Sequence, residues 1–420
     1  MPIRIQDGDR GGSEEPTQAY LGVRQGERRS DNEGIRLKAN RHEPMYDLIA
    51  TSTFGLESVV ADELKLLGYT DLTVENGKVS FKGDARAIAH CNVCLRTADR
   101  LLIRMAGFVA TDFGQLFDRT VEVAWEELIP ENGRMHVVGK SIRSTLFSVP
   151  DCQSIVKKAV VEAMKRKHHR GWFDESGPVY KIEVALLKDH VTLTIDTTGA
   201  GLHKRGYRKE AGEAPIKETL AAALVLLSRW TPSRILADPF CGSGTIPVEA
   251  ALIGKNIAPG INREFAAETW PQVPRGIWTE VRDEARGRVR DAPVRILGSD
   301  ADGAVLSTAR KNARNAGVAD CITFRQLAME KFSSDEKFGC IVCNPPYGER
   351  TGEEKEVEQL YQSLGHLHAR LDSWSMFILS AHPFFERFFG KRADKKRKLY
   401  NGRIQCYLYQ YFGPLPPKTG

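Results

Sequence analysis

The sequence lacks any run approaching the ~18–20 consecutive apolar residues of a membrane helix, so no helical membrane span is expected. Its start, Met1-Pro-Ile-Arg-Ile-Gln-Asp-Gly-Asp-Arg10, has no apolar core behind a charged opening, so it does not read as a secretory signal. Cysteine is sparse, at 8 in 420 residues, too few for a disulfide scaffold. A dominant charge is missing as well. Lys and Arg number 60 against 54 Asp and Glu, leaving a formal +6. Nucleic-acid binding by bulk charge alone, as in a histone tail, is thereby excluded, whereas binding through clustered charge is not. These absences point to a soluble, reducing, cytoplasmic setting with no membrane partner.

Core-forming material is plentiful, with hydrophobic residues at 41%. At roughly 150 residues per domain the length predicts two or three domains. Two CxxC pairs invite a zinc reading. Cys91 and Cys94 fall in an expected helix and would share a face, but Cys340 and Cys343 fall in an apolar strand-like run. Residues three apart in a strand point to opposite faces, so buried free thiols and no metal are expected.

Residues 1–44 hold many Gly, Arg, Glu and Asp and few clustered apolar residues, and read as a disordered tail, with Met45 a candidate true start. An RNA-contacting arm is the alternative, which the nearly cancelling charges disfavour. From Met45 the pattern sharpens. Tyr46–Thr51 reads as a strand, Leu56–Leu67 as a helix stopped by Gly68, and Leu72–Phe81 as a hairpin turning at Asn76-Gly77. Asp84 caps the next expected helix. This is a β-α-β-β-α unit. Further strands are expected at Leu101–Met105, Arg134–Val138, Tyr180–Leu186 and Val191–Asp196, with a helix starting at Asp151. The block to about residue 200 is α+β.

The second half alternates strand and helix. A helix is expected from Pro215, strands at Arg234–Asp238, Val294–Asp300, Ile322–Phe324, Cys340–Cys343 and Ser375–Ser380, and an antiparallel edge at Gln405–Tyr411. This is the pattern of a doubly wound sheet.

Three segments carry chemistry. Asp238-Pro-Phe-Cys-Gly-Ser-Gly-Thr245 places an acidic strand end and a Gly-rich turn before a helix. Gly242 and Gly244 allow close approach of a ligand to the backbone, and the helix N-terminus adds a positive field. A third glycine at G-x-G-x-x-G spacing is missing, as is the Gly-Lys-Ser/Thr of a phosphate-binding P-loop. Asp300 ends the next strand. It could accept the two ribose hydroxyls of an adenosine ligand or merely cap a helix, a role for which Asp302 is better placed. Asn344-Pro-Pro-Tyr347 ends the fourth strand. Two prolines fix that backbone and remove donors, leaving the Asn344 amide oxygen and the Pro345 carbonyl as acceptors for an exocyclic amine, with Pro346 completing the turn. Tyr347 offers a face on which a base can stack.

The first and third segments resemble the S-adenosylmethionine-dependent amino-methyltransferases. With Met45–Gly68, Leu202-His-Lys-Arg-Gly-Tyr-Arg208 and Ala214–Ala222, the chain from Met45 onward resembles the THUMP-domain RNA methyltransferases, nearest the bacterial 23S rRNA guanine-N2 enzymes of RlmL type. The resemblance implies an α/β fold: a Rossmann-like class I methyltransferase domain at 201–420, behind a ferredoxin-like module at 45–88 and a THUMP RNA-binding domain at 89–200. It implies S-adenosylmethionine as cofactor, held by Asp238, Phe240, Gly242, Gly244 and Asp300, with Lys217 and Thr219 in the segment that closes over its carboxylate. The family's acidic adenine contact is matched here by Ala328, so Gln326 or a backbone group is expected to replace it. RNA, as 23S rRNA or a large-subunit precursor, is the implied partner.

Guanine N2 is a poor nucleophile because its lone pair is delocalised. Accepting its protons would localise that pair and aim it at the methyl, with no metal required. Glu349 and Arg350 could read the base edge or a phosphate, or simply pair with each other. Basic clusters at Lys165-Arg166-Lys-His-His-Arg170, His203-Lys204-Arg205-Gly-Tyr207-Arg208-Lys209 and Lys391–Lys398 suit phosphate contacts, with Tyr207 or Trp172 able to stack. The alternatives are a tRNA guanine-N2 methyltransferase, adenine-N6 or glutamine methylation, a non-catalytic RNA-binding assembly factor and a nicotinamide oxidoreductase. The N-terminal α+β block, the intact motifs and the incomplete glycine pattern weigh against the last four.

Overall fold

The computed structural model describes residues 44–169, 171–208, 216–348 and 354–417. The tail expected at 1–44 thus lies outside the described residues but for its last position, as do Glu349, Arg350 and Pro215.

The first half comprises β1 (Tyr46–Thr51), α1 (Glu57–Leu66), β2 (Thr73–Glu75), β3 (Lys78–Gly83), α2 (Ala85–Cys94), β4 (Arg100–Val109), α3 (Phe113–Val121), β5 (Arg134–Ile142), α4 (Val149–His168), β6 (Val179–Leu187) and β7 (His190–Asp196). Local chemistry explains the ends. Asp84 accepts from Ala87 N at 2.8 Å to start α2, and Asp112 does the same for α3 through Gln115 N. The chain turns between β2 and β3 at Gly77, with φ +75°. α4 begins two residues before the expected Asp151, because Pro150 is well suited to a first helical turn. All seven strands form one sheet in the order β2-β3-β1-β4-β7-β6-β5. β4 is the seam, pairing with β1 along one edge and β7 along the other. The boundary expected at 88/89 falls inside α2, which runs unbroken across it.

The second half adds α5 (Glu218–Leu227), β8 (Leu236–Asp238), α6 (Thr245–Gly254), α7 (Arg275–Gly287), β9 (Ile296–Asp300), α8 (Gly303–Asn315), β10 (Ile322–Gln326), β11 (Cys340–Cys343), α9 (Glu354–Arg370), β12 (Ser375–Ser380), α10 (Phe385–Phe389), β13 (Lys395–Asn401) and β14 (Ile404–Tyr411). Asp302 caps α8 through Ala304 N at 2.8 Å. The sheet order is β10-β9-β8-β11-β12-β14-β13, parallel up to β12 and antiparallel beyond. The order reverses at β8, between β9 and β11, which opens a crevice at the carboxyl ends of these strands, where ligands of such sheets bind.

One expectation is corrected: the strand at 404–411 is not the edge. Half of the basic run Lys391–Lys398 forms β13 outside it, and charged side chains on an edge strand discourage pairing with another chain. The second half also packs against the first. Ala258, Ile261, Phe265, Trp270, Val273, Trp278 and Val281, between α6 and β9, are buried in the same core as β1, β4, β6 and β7. Trp270 stacks on Tyr180 at 4.6 Å and donates to Val179 O. Gln272 donates to Leu128 O at 2.6 Å, and Arg86 pairs with Glu284 at 2.5 Å.

Candidate active site

β8 delivers Asp238 and β9 delivers Asp300 to neighbouring strand ends, since Asp238 and Gly298 are partners in the parallel ladder. Asp238 is almost fully buried. Burial pushes its carboxyl well above the ordinary carboxylate range, the Phe240 N–H draws it back, and Asp300 raises it again. Asp300 accepts from Gly242 N at 2.9 Å and from Asp302 N at 3.0 Å, so it holds the glycine turn against β9. A cationic ligand bound between the two carboxylates would draw the Asp238 carboxyl back toward its ionised form, beside Asp300.

The turn itself needs its glycines. Gly242 has φ +50° and open space where a Cβ would stand, leaving a bare backbone surface beside the two acids. Gly244 has φ +82°, and an added Cβ would lie 3.1 Å from Ala309 Cβ and 3.2 Å from the Phe324 ring. The Asn312 side chain, on α8, donates to Ser243 O at 2.9 Å and fixes the turn from behind. Gly244→Ala is expected to weaken cofactor binding by about tenfold, because a left-handed φ with a crowded Cβ costs an L-residue about 1–2 kcal/mol; calorimetric titration would read the change.

β11 ends at Cys343, and Asn344-Pro-Pro-Tyr347 follows at the next strand end of the same crevice. The Tyr347 hydroxyl donates to Asn344 Oδ1. Cys406 Sγ donates to that hydroxyl at 3.7 Å, and the Asn401 side chain draws the phenol's pKa down. Burial pushes the Tyr347 phenol up, so it remains a neutral donor. Tyr361, on α9, donates to Pro346 O at 2.9 Å and bonds Ser380 Oγ at 3.1 Å, which locks the second proline. Asn401, Cys406 and Tyr361 carry no local signature in the sequence. They reach the site only through the pairing of β13 with β14 and the packing of α9.

The remaining expected site residues divide. Phe240 is half-buried beside Asp238. Gln326 pairs in register with Asp300, but its amide donates to Ala301 O at 3.2 Å. Thr219 is buried and donates to Asp99 Oδ1 at 3.3 Å, while Lys217 is exposed at the start of α5. Lys204 and Arg166 are exposed and Lys165 is half-exposed. Arg205 and Tyr207 are corrected: both are buried and engaged with Glu249 of α6, at 3.4 Å and 3.1 Å. Arg205 further donates to the carbonyls of Leu202 and Arg96, so neither residue faces RNA. Arg208 is mostly covered and pairs with Glu218 at 3.2 Å. Within the third cluster, Lys396 pairs with Glu386 and Arg397 donates to Gly55 O and Ser58 Oγ. Trp172 remains 74% exposed.

A five-strand parallel sheet with acidic ends at its switch point, facing an Asn-Pro-Pro-Tyr turn two strands from the second acid, defines the class I methyltransferases. Comparison with known proteins is specific beyond the class. The model of the RMKL-like methyltransferase domain matches residues 205–410, the RlmL ferredoxin-like domain 47–102 and the THUMP domain 110–196. The chain belongs to the RMKL-like methyltransferases that carry ferredoxin-like and THUMP domains. It is 50% identical to the Bacillus subtilis (strain 168) protein named "Putative RNA methyltransferase YpsC", across 89% of this chain and 97% of that protein. It is 35% identical to "Ribosomal RNA large subunit methyltransferase K/L" of Legionella pneumophila (strain Philadelphia 1), across 87% of this chain but only 52% of that protein. The chain thus spans about half the length of the K/L relatives it matches. Among solved structures, a Listeria monocytogenes protein described as "a predicted N6-adenine-specific DNA methylase" superposes with TM-score 0.84 at 51% identity, over 88% of this chain and 97% of that one. SMU.472, solved in complex with SAH, superposes with TM-score 0.85 at 45% identity, over 89% and 99%.

Proposed function

We propose that this protein transfers the methyl group of S-adenosylmethionine to the exocyclic N2 of a guanine in 23S rRNA. The observation that carries the reading is the crevice at β8, which brings a buried Asp238, a half-buried Asp300, a bare glycine turn and the Asn344 amide to adjacent strand ends. The residues suit the cofactor. Asp238 and Asp300 favour its positive charge, Asp300 offers a carboxylate at ribose height, and Gly242 leaves room for its chain. When bound, the cofactor supplies an activated methyl on a sulfonium.

The protein's own part is to hold and aim the amine. Asn344 Oδ1 and the Pro345 carbonyl accept hydrogen bonds from its two N–H groups, which turns the nitrogen lone pair toward the methyl. Tyr347 keeps the Asn344 amide from rotating, and Tyr361 keeps the proline turn from relaxing. No side chain here needs to act as a strong base, because the amine becomes acidic once methylated and its proton can pass to water.

THUMP and ferredoxin-like modules in the same chain support an RNA substrate, and the K/L relatives support large-subunit rRNA over tRNA. The Listeria relative's description points to an adenine amine, which the same acceptors would suit. The deciding experiment is mass-spectrometric mapping of rRNA and tRNA from a deletion strain. Loss of one N2-methylguanosine from 23S rRNA is expected, and loss of an N6-methyladenosine instead would overturn the base assignment. The cofactor reading has its own check. Asp300→Ala is expected to weaken S-adenosylmethionine binding by about 10–100-fold, the value of a charge-assisted hydrogen-bond pair. Unchanged calorimetric affinity would reject that role.

A further inference from the structure

We propose that Phe54, Tyr400 and Lys398 form a stacking platform for an unpaired nucleotide of the RNA substrate. The inference rests on the RNA reading above and extends it to a second contact point.

Phe54 lies in the loop between β1 and α1 and is 56% exposed. Such a ring in a mobile loop would mean little, but this loop is clamped. Glu57 accepts from Gly55 N at 2.9 Å with one oxygen and from Gly77 N at 2.8 Å with the other. Arg397 of β13 donates to Gly55 O at 2.8 Å and to Ser58 Oγ at 2.6 Å. Gly55, at φ +90°, has no room for a side chain, since a Cβ would lie 2.3 Å from Lys398 O. The ring itself rests over Gly77. Three backbone groups and the Ser58 hydroxyl are thus committed to presenting an apolar face to water, an arrangement that burial alone would not produce.

Its neighbours indicate what it meets. Tyr400 stands edge-on to Phe54 at 6.2 Å between centroids. The Lys398 ammonium lies 5.6 Å from the Tyr400 ring centroid, and Arg403 is exposed at the adjoining hairpin turn. Aromatic faces flanked by cations suit the base and phosphate of a single strand, with the cation also attracted to the ring. A nucleotide left unstacked in a single-stranded stretch of the substrate finds in Phe54 a new partner.

The test is steady-state methyl transfer to transcribed 23S rRNA by the full-length enzyme. Phe54→Ala is expected to raise the KM for RNA about tenfold with kcat and calorimetric S-adenosylmethionine binding unchanged, the ordinary loss for one stacked base. Phe54→Trp should restore the KM. Lys398→Ala should raise it less and flatten its salt dependence by about one phosphate's worth. The same variants are compared in fluorescence anisotropy with a short labelled single-stranded RNA. If the wild type transfers no methyl to guanine N2, the functional reading fails by itself, and the anisotropy series still judges the platform. Equal KM and equal anisotropy affinities for wild type and Phe54→Ala would overturn it, including in favour of a protein-docking role for the ring.

Discussion

Asn344→Ala is expected to lower methyl transfer by about a thousandfold while leaving S-adenosylmethionine affinity within a factor of two or so of wild type. In the proposed function the amide oxygen would act where charge develops, on the amine as its lone pair becomes available, and the cofactor would lie against different strand ends. Removing one preorganised partner of a developing charge costs roughly 10²–10³ in rate, and losing the aim of the nucleophile adds to it. Asn344→Asp keeps acceptor oxygens in place and is expected to lose less. Tyr347→Phe keeps the ring but frees the amide to rotate, so a smaller loss, in kcat rather than KM, is expected. Single-turnover kinetics with saturating cofactor would read all three, and near-wild-type turnover by Asn344→Ala would end this account of the amine contacts.

The second large effect concerns stability. Arg205→Ala is expected to destabilise the protein by about 3–5 kcal/mol, because it leaves Glu249 as an uncompensated buried charge. The Arg205 and Glu249 side chains are 3% and 0% exposed. Arg205 also satisfies two carbonyls that would otherwise be orphaned, those of Leu202 and Arg96. Replacing both members, as Arg205→Met with Glu249→Leu, removes the charges together and is expected to lose less than the single change. Urea unfolding would give both numbers. A phosphate-binding Arg205 would behave oppositely, with its replacement weakening RNA binding and leaving the unfolding midpoint in place.

That contrast shows where sequence reading stops. A Lys/Arg run states that cations are present but not where their counter-ions lie. The carboxylate that captures Arg205 and Tyr207 is more than forty residues downstream, on α6, and reads in sequence as one more helix Glu. The run at 391–398 shows the same limit: the sequence marks it as a cluster suited to phosphate contacts, and only the sheet reveals that half of it is an edge strand. By contrast, the Asp238–Thr245 turn, Asp300 and the Asn344–Tyr347 turn are local constructions whose glycines and prolines dictate their backbone. The parallel sheet supporting them is equally local, because each strand and helix carries its own periodicity. What supports the site from afar, Asn401 through β13 and Tyr361 through α9, has no such marker.

The segment between α6 and β9 has a consequence for synthesis. Trp270 and Trp278 complete the core of strands made more than seventy residues earlier. A nascent chain that has released β7 from the ribosome therefore still has an open hydrophobic wall, which closes only when α7 emerges. Pausing before that point would expose it to chaperones and proteases, and a fragment ending near residue 200 would keep it exposed permanently. The seven-stranded sheet at the amino end is thus encoded first but finished late.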